Sequence, residues 1–174
     1  MFDIFFKNIN KKRLKDKKFD FLFDKLHDKS VFMAYFAKAT LAFDTPTTIS
    51  NFMTKIHHID IKKAAVFPIV QGIRSLALRE KIKETTTIKR IKILEDKKIL
   101  EKEKAQELLE AFDFVNTLRL KNHLKSIYNG NKINNEIDTD TLSKIERDLL
   151  KDSFKIINEF KRFISYTFRI AKIF

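Results

Sequence analysis

Residues 60–79 read DIKKAAVFPIVQGIRSLALR, and this stretch decides how the rest of the chain is understood. Its apolar residues recur at helical spacing, yet Pro68 and Gly72 lie inside it. Proline removes an amide donor and glycine weakens a helix interior, and the whole chain contains only two of each. The spacing predicts a bent, partly buried segment in which Asp60, Lys62, Lys63, Arg74 and Arg79 hold fixed places. Asp60 is placed to cap a helix that Pro68 kinks and that ends near Lys83.

On either side of this stretch the sequence reads as helix after helix. In 174 residues, 44% are hydrophobic and 34% charged, which suits one domain with a real core. Two Gly and two Pro are too few breakers for an all-β chain. Upstream, Lys7 to Lys18 is a basic run, after which Phe19, Leu22, Phe23 and Leu26 recur at helical spacing. Residues 1–29 are therefore expected to be a basic connector or a short helix, and residues 30–174 the helical domain.

Ser30 is the expected N-cap of a helix through Phe43, with Phe32, Phe36, Ala39, Leu41 and Phe43 inward and Asp44-Thr45-Pro46 as its stop. From Pro46 to His58 a loop with a single helical turn is expected. Thr87 should cap a helix over Ile88 to Glu95. Leu100 to Asn129 carries the cleanest periodicity, through Ala105, Leu108, Phe112, Val115, Leu118 and Ile127, and Gly130 follows as a C′ glycine. Asn129 to Asp140 is a polar connector.

Ser143 and Glu146 form a capping box for a helix of about 25 residues. Its inward residues are expected to be Leu149, Leu150, Phe154, Ile157, Phe160 and Ile164. The fold class is thus all-α: an irregular helical bundle built around two long antiparallel helices.

The chemistry is bounded mostly by what is missing. No cysteine is present, so disulfides, thiolate nucleophiles and zinc–thiolate sites are excluded. No glycine-rich phosphate loop, zincin pattern or G-x-S-x-G occurs. No stretch approaches the roughly 20 apolar residues of a membrane span, and no secretory signal is legible at the start, so a cytoplasmic protein is expected. A net charge of +13 implies attraction to nucleic acid, nucleotide phosphates or an acidic surface, unless it simply marks a solvated lysine-rich exterior.

Asp138-Thr139-Asp140 has the form of a D-x-D metal site, but beside a capping box it reads as turn chemistry. His57-His58 has neither a third ligand nor an obvious carboxylate partner in sequence. Arg119 and His123 share a helix face at i, i+4, where they could hold a phosphate together or act as a ribonuclease pair. Helical ribonucleases of the HEPN type use an Arg and a His at a slightly longer spacing. Alternatively, Arg119 pairs with Asp113 or Glu146 and His123 is a boundary residue.

With the helices placed, the chain resembles the C-terminal helical domain of the DUF294 group, a nucleotidyltransferase substrate-binding domain. The residues that carry the resemblance begin with Asp60-Ile61-Lys62-Lys63, Phe67-Pro68-Ile69-Val70, Gly72-Ile73-Arg74 and Ala77-Leu78. Thr87, Ala111-Phe112-Asp113-Phe114, Leu118-Arg119-Leu120, Ile137-Asp138, Asp140, Leu142-Ser143 and Glu146-Arg147 follow in the family order. Departures are Gln71 for an acidic residue, Thr139 for a proline, Asn122-His123 for a His-Gln pair, and a shorter loop before Asp60.

The resemblance implies a substrate-binding module of a bacterial signalling protein, completing a nucleotide or acceptor cleft beside a catalytic nucleotidyltransferase domain supplied in cis or in trans. No catalytic G-S-x-A/G-R-x-E segment is present, so the chain is expected not to be an enzyme by itself, and to be an excised domain or a stand-alone version. No cofactor is expected within the chain; Mg and a nucleotide would accompany the catalytic domain. Lys62, Arg74, Arg119 and His123 are the implied contacts to an anionic ligand, with Asp60 orienting one of them. Two other readings stay open: an autonomous helical RNA-binding protein or HEPN-like ribonuclease, and a structural interaction domain docking through Phe2, Phe5 and Phe6.

Overall fold

A computed structural model describes residues 16–26, 29–46 and 57–170. Phe2, Phe5, Phe6 and the expected loop over 47–56 lie outside the described residues. Among those described are six α-helices: α1 (16–26), α2 (Ser30–Lys38), α3 (Phe67–Arg79), α4 (Thr87–Asp96), α5 (Lys102–Tyr128) and α6 (Lys144–Thr167). They form the all-α, irregular helical bundle expected of the sequence. Helices α5 and α6 pack along one another and run antiparallel: Lys104, early in α5, pairs with Glu159 late in α6, and Lys121 pairs with Glu146 at the other end.

The 60–79 stretch is helical from Ile61 onward. Asp60 caps it as expected, accepting the Lys63 amide at 3.0 Å while its second oxygen meets Lys63 Nζ at 3.1 Å. Residues Lys62–Val66 form a π turn, in which the Phe67 amide reaches back five residues to the Lys62 carbonyl. Pro68 follows directly, so the wide turn absorbs the proline without ending the helix. Pro68 has no amide to offer the Ala64 carbonyl four residues earlier, and the buried Thr45 hydroxyl donates to that carbonyl at 2.7 Å. The stop at Asp44-Thr45-Pro46 thus repairs the proline's missing hydrogen bond.

That repair is held in place from α6. Lys161 Nζ donates to the Phe43 carbonyl at 2.8 Å, and Asn158 Nδ2 donates to the Pro46 carbonyl at 3.1 Å. Burial pulls the Lys161 ammonium below the ordinary lysine range, against the opposing pull of Asp44.

Gly72 marks a close approach between two helices. A Cβ built there would overlap the Phe160 ring and lie 3.1 Å from Ile164 Cγ1. The glycine therefore sets how closely α3 approaches α6. Around that contact the core gathers Ile69, Ile73 and Leu76 of α3 with Leu150, Ile157 and Ile164 of α6, all fully buried.

Several sequence expectations are corrected. Ser30 is the first residue of α2, not its cap, and the α-helix gives way to a 3-10 turn over Ala39–Leu41 before Phe43. Its buried face is Met33, Ala34 and Ala37, while Phe32 is 47% exposed; similar apolar residues at adjacent positions made the two faces hard to separate. Thr86, not Thr87, precedes α4, and α3 ends at Arg79 rather than near Lys83. Ile127 and Leu149 face solvent, and Ala111 and Ser153 take inward positions. The connector holds a strand, β2 (Glu136–Asp138), antiparallel to β1 (His58–Asp60), with buried Ile59 opposite buried Ile137. Three-residue strands are too short for alternation to reveal them.

Helix ends show one economy imposed by composition. Helix α5 closes on Gly130 at φ 67°, with the Asn131 amide reaching the Ser126 carbonyl and the Gly130 amide that of Ile127, a complete Schellman motif. The helices α3, α4 and α6 end instead on Lys81, Lys98 and Arg169 at φ 55°, 57° and 51°. An L-residue with a Cβ pays about 1 kcal/mol there that glycine avoids. Lys98→Gly should therefore raise the free energy of unfolding by up to about 1 kcal/mol in urea denaturation; an unchanged or lower midpoint would contradict the assignment.

Candidate functional site

The C-terminal half of α5 turns one polar face toward the connector and the β-ribbon. Lys121, Asn122, Lys125, Ser126 and Asn129 recur at helical spacing along that face. Opposite them stand His58, Asn131, Asn134, Glu136 and Asp138, and Leu118, Ile137 and Leu142 supply the apolar base. The groove between these walls encloses about 410 Å³, within the range of small-ligand sites.

Hydrogen bonds between side chains and backbone hold the two walls together. Asn122 Nδ2 donates to the Glu136 carbonyl at 3.1 Å. Asn135 is the central node: its backbone carbonyl accepts the Ile61 amide at 3.0 Å, and its Oδ1 accepts from Arg119 Nε at 2.7 Å. His123 Nε2 approaches the same oxygen at 3.3 Å. Because Arg119 can only donate, Oδ1 is the acceptor in both contacts, and His123 presents its N–H from Nε2. Lys125, Asn129 and Asn131 make no side-chain hydrogen bond or ion pair among the described residues.

The residues singled out in the sequence fall into two places. Arg119 and His123 meet at Asn135, whose carbonyl accepts the Ile61 amide, and Asp60 and exposed Lys62 flank Ile61 in sequence. Arg119 pairs with Asn135 and not with Asp113 or Glu146; Glu146 belongs to Lys121. Arg74 lies elsewhere, 12 residues and so about 18 Å along the helix from Lys62. It contacts Gln71 Oε1 at 3.4 Å and stands by Arg90, whose guanidinium is pulled below its ordinary range by burial and then by Arg74's charge.

His57, expected to lack a carboxylate partner, has one: its Nδ1 is 2.8 Å from Asp140 Oδ2 across the ribbon, a contact 83 positions apart in sequence. Asp138 Oδ1 accepts the Asp140 amide at 3.0 Å, the turn use expected of this pair. Among the described residues no three His, Asp or Glu side chains are grouped to hold a metal ion.

The helical spacing of Lys121, Lys125 and Asn129 is the signal the sequence offers for this face, and Asn122 enters there only as a departure from the family pattern. The facing wall left no such signal, because Asn131, Asn134 and Asn135 in a connector look like turn formers.

The fold defines an all-α domain whose one ribbon closes a polar groove. A family model described as "Putative nucleotidyltransferase substrate binding domain" (DUF294_C) matches residues 30–168, and the chain belongs to that family. No curated protein and no solved structure matches the chain. Among the described residues, no helix is long and apolar enough to cross a membrane.

At the edge of the groove, Lys121 pairs with a strongly perturbed carboxyl. Glu146 Oε2 accepts the Ser143 amide at 2.8 Å and its own amide donates to Ser143 Oγ at 3.2 Å, completing the expected capping box. The Lys121 ammonium first, then the Ser143 amide, holds the Glu146 carboxyl at about 2, below its ordinary 4.5. A carboxyl lowered on folding stabilises the fold above its unfolded pKa, and that contribution is lost as pH falls toward the folded value. Glu146→Ala should thus cost about 1 kcal/mol at pH 7, after allowance for the exposed Lys121 partner. The penalty should shrink between pH of about 4.5 and about 2 in pH-dependent thermal melts; a constant penalty would contradict this assignment.

Proposed function

We propose that the chain is a ligand-binding module without catalytic chemistry of its own, and that the groove between α5 and the β-ribbon receives the acceptor or nucleotide of a nucleotidyl-transfer reaction. The groove is the observation that carries this reading: Lys125 offers a point charge for phosphate, and the Asn129 and Asn131 amides offer donors and acceptors. Glu136 and Asp138, across the groove, suit hydroxyl donors such as those of a sugar. Family membership supports the same reading.

Arg119 and His123 serve this site indirectly, by fixing Asn135 and with it the connector wall. That engagement favours a positioning role over a ribonuclease pair. A catalytic nucleotidyltransferase domain, in cis or in trans, would supply the metal and the phosphoryl chemistry, while this chain orients the group to be modified.

Amide chemical-shift mapping on the full chain with a nucleoside triphosphate tests the reading. Shifts are expected over 121–129 and 131–138, with Lys125→Ala weakening binding about tenfold through loss of one charge-assisted contact. Saturating triphosphate that leaves these amides unmoved would overturn it.

A further inference from the structure

At the opposite end of α6 lies a second cavity, of about 390 Å³. The groove begins just before α6, at Thr141 and Leu142, whereas this cavity is lined by Thr167, Phe168 and Arg169 where α6 ends. The 24 residues of α6 separate the two by about 36 Å. Three helices and the end of α6 meet there: α1, the start of α2 and the end of α3.

Its composition differs from that of two other cavities. The groove contains Glu136 and Asp138, and a third cavity beside α5 contains Glu101, Glu107 and Glu159. Among the described residues, this one is lined by Lys29, Arg79, Lys81 and Arg169 and by no carboxylate. Lys29, Lys81 and Arg169 make no side-chain ion pair or hydrogen bond among the described residues. Arg79 is fixed, with Nε 2.8 Å from Glu80 Oε1 and its guanidinium over the Phe168 ring at 5.2 Å. Beneath these cations, Phe23, Leu26, Met33, Leu78 and Phe168 form an apolar floor.

Cations at helix C-termini also offset the helix dipole, which accounts for Lys81 and Arg169 one at a time. It does not account for their convergence with Lys29, from the start of a different helix, over one apolar floor. Several unpaired cations select a polyanion over a single carboxylate, and the aromatic and aliphatic floor selects a flat apolar body. We infer that this cavity is a second ligand site, independent of the groove, and that it takes a small phosphorylated molecule with a flat aromatic body, of the nucleoside diphosphate kind. The phosphates meet Lys29, Lys81 and Arg169, and the ring lies on the floor by Phe23 and Phe168.

The left-handed backbone at Lys81 and Arg169 supplies a clean test, because glycine removes each cation and relaxes the backbone in one step. ADP is titrated calorimetrically into the full chain carrying Lys125→Ala, which weakens the groove, and into that parent with the Lys81→Gly/Arg169→Gly pair or Lys29→Gln added. The glycine pair is expected to melt no lower than the parent and to lose about tenfold or more in ADP affinity. Lys29→Gln weakens binding in the same direction and touches neither left-handed position. Adenosine binds the parent more weakly than ADP does. The inference is overturned if the parent binds no ADP, if the glycine pair and Lys29→Gln bind it as the parent does, or if adenosine binds as tightly as ADP.

Discussion

The close approach of α3 to α6 at Gly72 is the constraint on which the rest of the structure depends. The Phe160 ring occupies the place a side chain at position 72 would need, and Ile164 closes the same contact one turn later. Large buried side chains from both helices then fill the space that this spacing leaves, with Ile69, Ile73 and Leu76 against Ile157 and Ile164. Helix α6 is thereby fixed against the 61–79 segment, and α2, α4 and α5 each pack against one of the two.

Two consequences run from this contact along α6. Toward its middle, Asn158 and Lys161 hold the 43–46 turn, and Thr45 from that turn completes the hydrogen bonding that Pro68 leaves open at Ala64. The proline is tolerated inside a buried helix because a hydroxyl from elsewhere in the chain replaces the missing donor. Toward its N-terminus, α6 pairs with α5 through Glu146 and Lys121, and α5 carries one wall of the groove. The opposite wall is tied to the start of the same 61–79 segment, since the Asn135 carbonyl accepts the Ile61 amide. The groove is therefore framed at both walls by elements that the Gly72 contact positions.

Much of the helical architecture is legible in the sequence. The capping box at Ser143, the C′ glycine at 130 and the cap at Asp60 are local devices whose partners lie within a few residues, and all three form as read. What is illegible depends on partners far away in the chain. Gly72 looks like a helix weakener until Phe160 is placed against it. Thr45 looks like part of a stop signal until Ala64 is beside it, and His57 lacks a carboxylate until the ribbon brings up Asp140. The site divides in the same way: the shared face of Arg119 and His123 follows from helical spacing, but their common partner Asn135 arrives from the connector. Arg74, within the same 60–79 stretch in sequence, is carried away from that junction by the length of its own helix.

Helix propensity and packing predict opposite signs for one substitution, which makes it the most direct measurement. Gly→Ala in a helix interior gains up to about 1 kcal/mol when nothing opposes the new methyl. If Gly72 sets the α3–α6 distance, Gly72→Ala instead lowers the free energy of unfolding by about 1–3 kcal/mol in urea denaturation. In a Phe160→Leu background, where the ring is removed, that loss falls by at least about 0.5 kcal/mol. A stabilising Gly72→Ala, or a loss of the same size in both backgrounds, would contradict the account.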